Sequence, residues 1–247
     1  MSRRALVIGL VASLLLNLAL VAIPIVWSWD RGGVAYLWSR LRGDAPGPDR
    51  RYADRAALHE LLPAVPTDLV MFGDSITADG PWSELLPDWR VLNRGISGDT
   101  VAGALGRVSE VTRRRPSAVF VLLGVNDLLR RRPLGEILGD YERLLTTLRQ
   151  ELPAARLVVQ SVLPVNVLEP NGRDDVVATL TPLNDGLAAL APRIGAQFLD
   201  LRPAFANARS KQTAANPELM VDFLHLSARG YLVWADEVKR ALAVTSP

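Results

Sequence analysis

Between Asp68 and Leu242, short apolar runs alternate with longer stretches patterned as helices, and this alternation restricts the fold more than any other feature of the chain. Leu69–Phe72, Arg90–Leu92, Ala118–Leu123, Arg156–Val162 and Gln197–Leu199 are short, rich in branched or aromatic residues, and followed by Gly, Pro, Asn or Asp, which predicts strands. Between them, Val101, Leu105, Val108 and Val111 form an apolar stripe with Asp99 or Thr100 as its N-cap. Ile137, Tyr141, Leu144, Leu145 and Leu148 form a second stripe. Asp174–Leu190 reads as a third helix, with Pro182 bearing on its start or continuity. Ser227 caps the last helix, whose stripe is Leu232, Ala235, Val238 and Leu242. Strands alternating with helices imply parallel crossovers and a sheet covered on both faces. The predicted class is α/β with a central parallel sheet, and ligands on such sheets bind beyond the carboxyl ends of the strands.

The N-terminus has a different character. Ala5 to Trp29 is a 25-residue stretch without a charge, long enough for a hydrocarbon core of about 30 Å at about 1.5 Å per residue. Arg3 and Arg4 precede it, and Trp27 and Trp29 stand where interfacial aromatic anchors lie. A cleaved signal segment has a shorter apolar region and a small-residue cleavage site, so the expectation is a retained single-pass membrane anchor over residues 5–29. The very short basic N-terminus puts the domain that follows outside the cytoplasm, against the competing Arg31, Arg40 and Arg42; a cleaved segment would make the protein secreted. The expected layout is an anchor or signal at 1–29, a juxtamembrane linker at 30–60 and a globular α/β domain at 61–247. Within the linker, Val34, Leu37, Trp38 and Leu41 fit a short interfacial helix, and Pro46-Gly47-Pro48 ends any helix in Gly43–Pro48. Arg50–Leu62 is predicted as a helix, with His59 exposed or at a boundary.

Composition excludes several chemistries. The chain has no cysteine, which removes disulfides, a thiol nucleophile and cysteine-ligated zinc. Two histidines, His59 and His225, do not make a His-rich metal site, so no metal or cofactor is expected. The net charge of +2 is small, and no nucleic-acid-binding motif accompanies the arginine runs Arg113–Arg115 and Arg130–Arg132. Such runs cap helices or solubilise loops, or else attract anionic lipid or substrate. Oligomeric state is not readable from this pattern.

Four clusters stand at the strand ends or in late loops: Gly73-Asp74-Ser75, Asn93-Arg94-Gly95, Gly124-Val125-Asn126-Asp127 and Asp222-Phe223-Leu224-His225. Gly73 permits a tight exit from its strand, so that Ser75 presents Oγ at the sheet edge; the same residues also suit a plain helix N-cap. The Gly-x-Ser-x-Gly elbow is absent, because Thr77 stands two places after Ser75. A serine hydroxyl needs a base, and His225 is the better placed of the two histidines. Asp222, three residues earlier, reaches its Nδ1–H to fix the tautomer. An oxyanion needs fixed donors, for which the Ser75 and Gly95 N–H groups and the Asn126 amide are candidates; Gly and Asn are also ordinary turn residues. Asp74 and Asp127 are expected to satisfy backbone N–H groups in their loops.

The blocks Gly73-Asp74-Ser75-Ile76-Thr77, Asn93-Arg94-Gly95-Ile96-Ser97-Gly98-Asp99-Thr100, Gly124-Val125-Asn126-Asp127 and Asp222-Phe223-Leu224-His225-Leu226-Ser227 resemble the four sequence blocks of the SGNH/GDSL hydrolases. They are most similar to the branch containing the platelet-activating-factor acetylhydrolase subunits and related bacterial esterases. The resemblance spans about Asp68 to Leu242, with Ile76 where the family name has leucine. It implies a three-layer α/β/α sandwich around a parallel, flavodoxin-like sheet. It also implies hydrolysis of carboxylic esters through a Ser75 acyl-enzyme, with Gly95 and Asn126 as oxyanion donors, His225 as base and Asp222 orienting it. The expected substrate is a small-molecule, lipid or glycan ester. Acyl transfer to a cell-envelope glycan would use the same residues; a non-catalytic module holding a phosphate-bearing ligand at a helix N-terminus would use Gly73-Asp74-Ser75-Ile76-Thr77 and leave the Asp222/His225 pair without a role.

Overall fold

The computed structural model describes residues 3–28, 50–168, 174–207 and 214–244. The chain divides into two units, Met1–Ala57 and Leu58–Pro247.

The first unit contains helix α1 (Arg3–Ser28). Its described side chains do not form one unbroken apolar surface. Ser13 and Asn17 lie one turn apart, and Asn17 Nδ2 donates to the Ser13 carbonyl at 2.9 Å. Among the described residues no helix is long and apolar enough to cross a membrane. This corrects the expected anchor over residues 5–29 and the single-pass location, and removes the ground on which the domain was placed outside the cytoplasm. The predicted interfacial stripe Val34, Leu37, Trp38 and Leu41, the Gly43–Pro48 linker and the flanking Trp29, Arg31, Arg40 and Arg42 lie outside the described residues.

The second unit is built on five parallel strands: β1 (Leu69–Gly73), β2 (Val91–Gly95), β3 (Ala118–Leu122), β4 (Arg156–Gln160) and β5 (Gln197–Leu199). Their order is β2-β1-β3-β4-β5. The apolar runs of β1 and β3 are buried throughout, as a sheet covered on both faces requires. From β1 the chain steps to β2 on one side, then crosses to β3 on the other. Loops leaving β1 and β3 therefore diverge and open a crevice at their carboxyl ends. The register fixes that crevice: Gly73 pairs with Gly95 of β2 and with Leu122 of β3.

Helices cover the sheet in two layers. One contains α5 (Val101–Gly106), α8 (Leu134–Glu151) and α9 (Asp174–Arg193), packed on one another. The other contains α4 (Trp82–Leu85), α10 (Arg202–Phe205) and α11 (Ala228–Ala243). The remaining helices are α2 (Arg50–Leu61), α3 (Ser75–Ala78), α6 (Ser109–Thr112) and α7 (Val125–Leu129). Helix α9 runs through Pro182, so that proline neither starts nor ends it. The stripe expected at Val101–Val111 is split between α5 and α6, because Gly106 weakens the helix and Arg107 turns inward. Thr100 caps α5, accepting from Gly103 N at 3.1 Å. Ser227 caps α11, accepting from Gly230 N at 3.2 Å. The buried face of α11 is Trp234, Ala235, Val238 and Ala241, which leaves the expected Leu232 exposed.

His59 is buried, contrary to the expectation of an exposed position, with Nδ1 3.8 Å from Glu110 Oε1. Both arginine runs have internal partners. Arg113 and Arg114 donate to the His59 and Leu62 carbonyls, closing the open C-terminus of α2. Arg130 donates to the Gly98 carbonyl, Arg131 pairs with Asp175, and Arg132 pairs with Asp127 and Asp140.

Candidate active site

Ser75 opens α3 directly after β1. Asp74 caps this helix, its Oδ1 accepting from Ile76 N at 3.0 Å. Gly73 is needed for close approach: a Cβ there would lie 2.1 Å from Thr77 Oγ1 and 2.5 Å from the Leu122 carbonyl. Its φ is not positive, so the expected conformational reason does not apply. Three side chains hold the carbonyls that α3 leaves open. Tyr231 Oη donates to Ile76 O at 2.8 Å and Trp82 Nε1 to Thr77 O at 2.8 Å. Asn93 Nδ2 reaches Thr77 O, Ala78 O and Gly80 O at 2.9–3.1 Å.

His225 and Asp222 stand on a short loop before α11. His225 Nε2 lies 3.0 Å from Ser75 Oγ, across 150 residues of sequence. His225 Nδ1 lies 2.8 Å from Asp222 Oδ2. The other carboxylate oxygen, Oδ1, accepts from the N–H groups of Leu224 and His225, both at 2.7 Å. Partial burial opposes ionisation of Asp222, but those two backbone bonds and the imidazole bond outweigh it and hold the carboxyl below its ordinary value. The loop closes on itself through Val221 N to His225 O at 2.9 Å, and Asn166 N donates to Phe223 O at 2.9 Å. The segments that precede this loop, 163–175 and 202–221, meet through a Val165–Ala214 bridge; 169–173 and 208–213 lie outside the described residues.

Asn126 sits in the first turn of α7, after β3. Its Nδ2 lies 3.0 Å from Asp99 O and 3.4 Å from Asp74 Oδ2, between the Ser75 turn and the turn that follows β2. Asp127 behaves as expected, its Oδ2 accepting from Val101 N at 3.1 Å. Asp74 is fully buried, and that burial, with Asp99 and Asp127 nearby and the Ile76 N–H opposing, pushes its carboxyl up to about 7.

Gly95 is placed differently from the expectation. It is the last residue of β2, and its N–H donates to Asn93 Oδ1 at 2.9 Å. A Cβ there would lie 2.2 Å from Ala78 N, so the glycine is required for packing beneath α3. The glycine of the open turn is Gly98. Its φ is +76°, and a Cβ would meet only Arg130 Nη2, at 3.8 Å. Asp99, next in sequence, has its carbonyl held by Asn126. The sequence signal for this position was the Gly98-Asp99-Thr100 run just before a capped helix.

Residues 71–233 match the model of the GDSL-like Lipase/Acylhydrolase family. Over 170 residues the chain is 31% identical to platelet-activating factor acetylhydrolase IB subunit alpha1 of Bos taurus, covering 66% of this chain and 70% of that protein. A crystal structure of a GDSL-like lipase from Bacteroides thetaiotaomicron is similar in fold, with a TM-score of 0.64, 22% identity, and coverage of 78% of this chain and 97% of that one. So is an acetyl xylan esterase, with a TM-score of 0.61, 18% identity, and coverage of 71% and 99%.

Proposed function

The chain belongs to the GDSL-like lipase/acylhydrolase family, and from that premise we propose that this hydrolase cleaves carboxylic esters through an acyl-enzyme on Ser75. The observation that carries the reading is the series Ser75 Oγ, His225 Nε2, His225 Nδ1 and Asp222 Oδ2, with side-chain contacts of 3.0 Å and 2.8 Å. Ser75 Oγ attacks the ester carbonyl carbon while His225 Nε2 takes the hydroxyl proton. The ionised Asp222 keeps the other ring proton on Nδ1 and stabilises the imidazolium. As the carbon–oxygen bond to the alcohol breaks, the imidazolium returns its proton to the departing oxygen. A water then enters, gives a proton to Nε2 and attacks the acyl carbon, and the acid leaves as Ser75 Oγ is reprotonated.

For the oxyanion we assign the Ser75 N–H, the Gly98 N–H and the Asn126 amide hydrogen not engaged with Asp99 O, whose contact to Asp74 Oδ2 is a long 3.4 Å. Gly98 replaces Gly95 because the Gly95 N–H is already bonded to Asn93 and its Cα is packed under α3. Acetyl esters are the first class to test, since the acetylhydrolase subunit and the acetyl xylan esterase are both named for acetyl groups.

The test is hydrolysis of a p-nitrophenyl ester series of increasing acyl length, with Ser75→Ala in parallel. Turnover of the variant is expected to fall by at least about 10⁴-fold, in line with removal of a serine nucleophile from such a unit. Its melting temperature should stay near the parent's, and a fluorophosphonate should label the parent alone. Equal turnover or equal labelling of Ser75→Ala removes the reading.

A further inference from the structure

Beneath the ends of β1 and β2 lies a set of buried charges that the proposed chemistry does not consume: Arg94, Asp99, Arg107 and Glu110. Arg107 is its hub. It leaves the junction of α5 and α6 and lays its guanidinium 4.5 Å from the centre of the Phe72 ring. Nε and Nη2 donate to Asp99 Oδ2 at 2.9 Å and 2.7 Å. Nη2 also reaches the Gly73 carbonyl at 3.1 Å and the Arg94 carbonyl at 3.0 Å. Nη1 donates to Glu110 Oε1 at 2.9 Å.

The three points held on the site side belong to different parts of the site. The Gly73 carbonyl immediately precedes Asp74 and Ser75. The Arg94 carbonyl lies at the end of β2. The Asp99 carboxylate belongs to the residue after Gly98, whose own carbonyl is held by Asn126. Ile96 N donates to the same Gly73 carbonyl at 3.0 Å, so the two strand ends already touch there. A buried ion cluster adds little net stability, since desolvation offsets most of the attraction. What a rigid planar fork supplies is fixed spacing among several acceptors, which a lysine ammonium does not reproduce.

We propose that Arg107 is a positioning residue for ester cleavage: it sets the distance between the Ser75 turn and the Gly98 turn, and so the place where the oxyanion forms. The inference rests on the Ser75 reading above. The His225–Asp222 pair is held separately, by bonds within its own loop and by Asn166.

The experiment compares the parent with Arg107→Lys and with the double variant Arg107→Met/Asp99→Asn. The double variant removes one cation and one anion, leaving Arg94 opposite Glu110 at 2.9 Å, so the buried charge stays balanced. Each is measured for p-nitrophenyl acetate turnover and fluorophosphonate labelling rate, per mole of protein shown to be folded by its melting transition. The expected result is a loss of about 10²-fold in kcat, the effect of displacing reacting groups by about 1 Å, with KM changed by less than about threefold and labelling slowed in step with kcat. The acid limb of the kcat/KM pH profile should keep its midpoint, because the base and its acid are held elsewhere. A folded variant within about threefold of the parent in kcat overturns the proposal. So does failure of both variants to fold, which would assign Arg107 to stability alone. Ser75→Ala, run alongside, separates the two claims: full labelling there breaks the nucleophile reading, whatever Arg107 does.

Discussion

The two halves of the site are held in different ways. Ser75 is 8% exposed and stands on a helix of four residues whose open carbonyls are all taken by Trp82, Asn93 and Tyr231. Those three side chains come from α4, β2 and α11, so the nucleophile's place is fixed by the whole second unit. The side chains of His225 and Asp222 are 34% and 52% exposed. Their geometry is set within a few residues, by Asp222 gripping two backbone N–H groups and by the Val221–His225 bond. One half is rigid by packing, the other by local hydrogen bonding. The contrast predicts that damage to the side chains clamping α3 spreads into stability, whereas damage at His225 and Asp222 stays in the chemistry.

The largest effect outside Ser75 should come from Asp222→Asn. The amide donates where the carboxylate accepted, selecting the ring tautomer that carries its proton on Nε2 and so cannot take one from Ser75. A loss in kcat on the order of 10⁴ is expected, as for the same swap in other such triads. The melting temperature should barely move, because the remaining amide oxygen still caps the loop. A drop of many degrees would break the contrast.

Asn126→Ala should lower kcat by about 10²–10³, the usual cost of one oxyanion donor. Because Asn126 also holds the Asp99 carbonyl, some loss of stability should accompany it. A kcat change below about twofold would leave Asn126 only that structural bond.

Tyr231→Phe tests the packing side directly. It leaves the Ile76 carbonyl without its partner, costing about 1–3 kcal/mol in stability by urea denaturation. Activity should fall by less than about tenfold, since the other two clamps on α3 remain. An unchanged stability would mean that the hydroxyl bond is not part of the clamp.

Asp74→Asn is read in the pH dependence of stability. The folded protein keeps this carboxyl protonated up to about 7, while the unfolded chain loses the proton near the ordinary 3.8. Stability therefore falls as pH rises through that interval, since only the unfolded state gives up its proton there. Asn cannot ionise, so the variant's stability should fall less between those pH values. Burial shifts Glu110 and Asp127 the same way, so some slope should remain. Parallel curves for parent and variant would show that Asp74 does not hold its proton.

The alternation of strands and helices was legible in the sequence because both periods were clean from β1 to α11. Ser75, Asp222 and His225 stood out through their combination and order along the chain, since Ser and Asp taken singly are ordinary cap and turn residues. Gly95 reads as a loop glycine in the sequence for one local reason. Ending the second strand at Leu92 makes Gly95 look like the first loop glycine, but pairing with Gly73 extends β2 through Gly95 and moves the turn to Gly98. Arg107, Glu110 and His59 were hidden for another reason. A charge on a short helix reads as solvated surface unless its long-range partners are known. The N-terminal run misled through its lack of charge, which did not register Ser13 and Asn17 within it.

The grip of Arg113 and Arg114 on the carbonyls of His59 and Leu62 bears on where the chain can be shortened. A cut placed at residue 61, where the sequence alone put the start of the hydrolase domain, discards His59, the neighbour of Glu110, and two of the acceptors these arginines use. The arginines and Glu110 would then face a gap at the edge of the charge network. A trimmed protein that keeps its folded edge must begin ahead of His59.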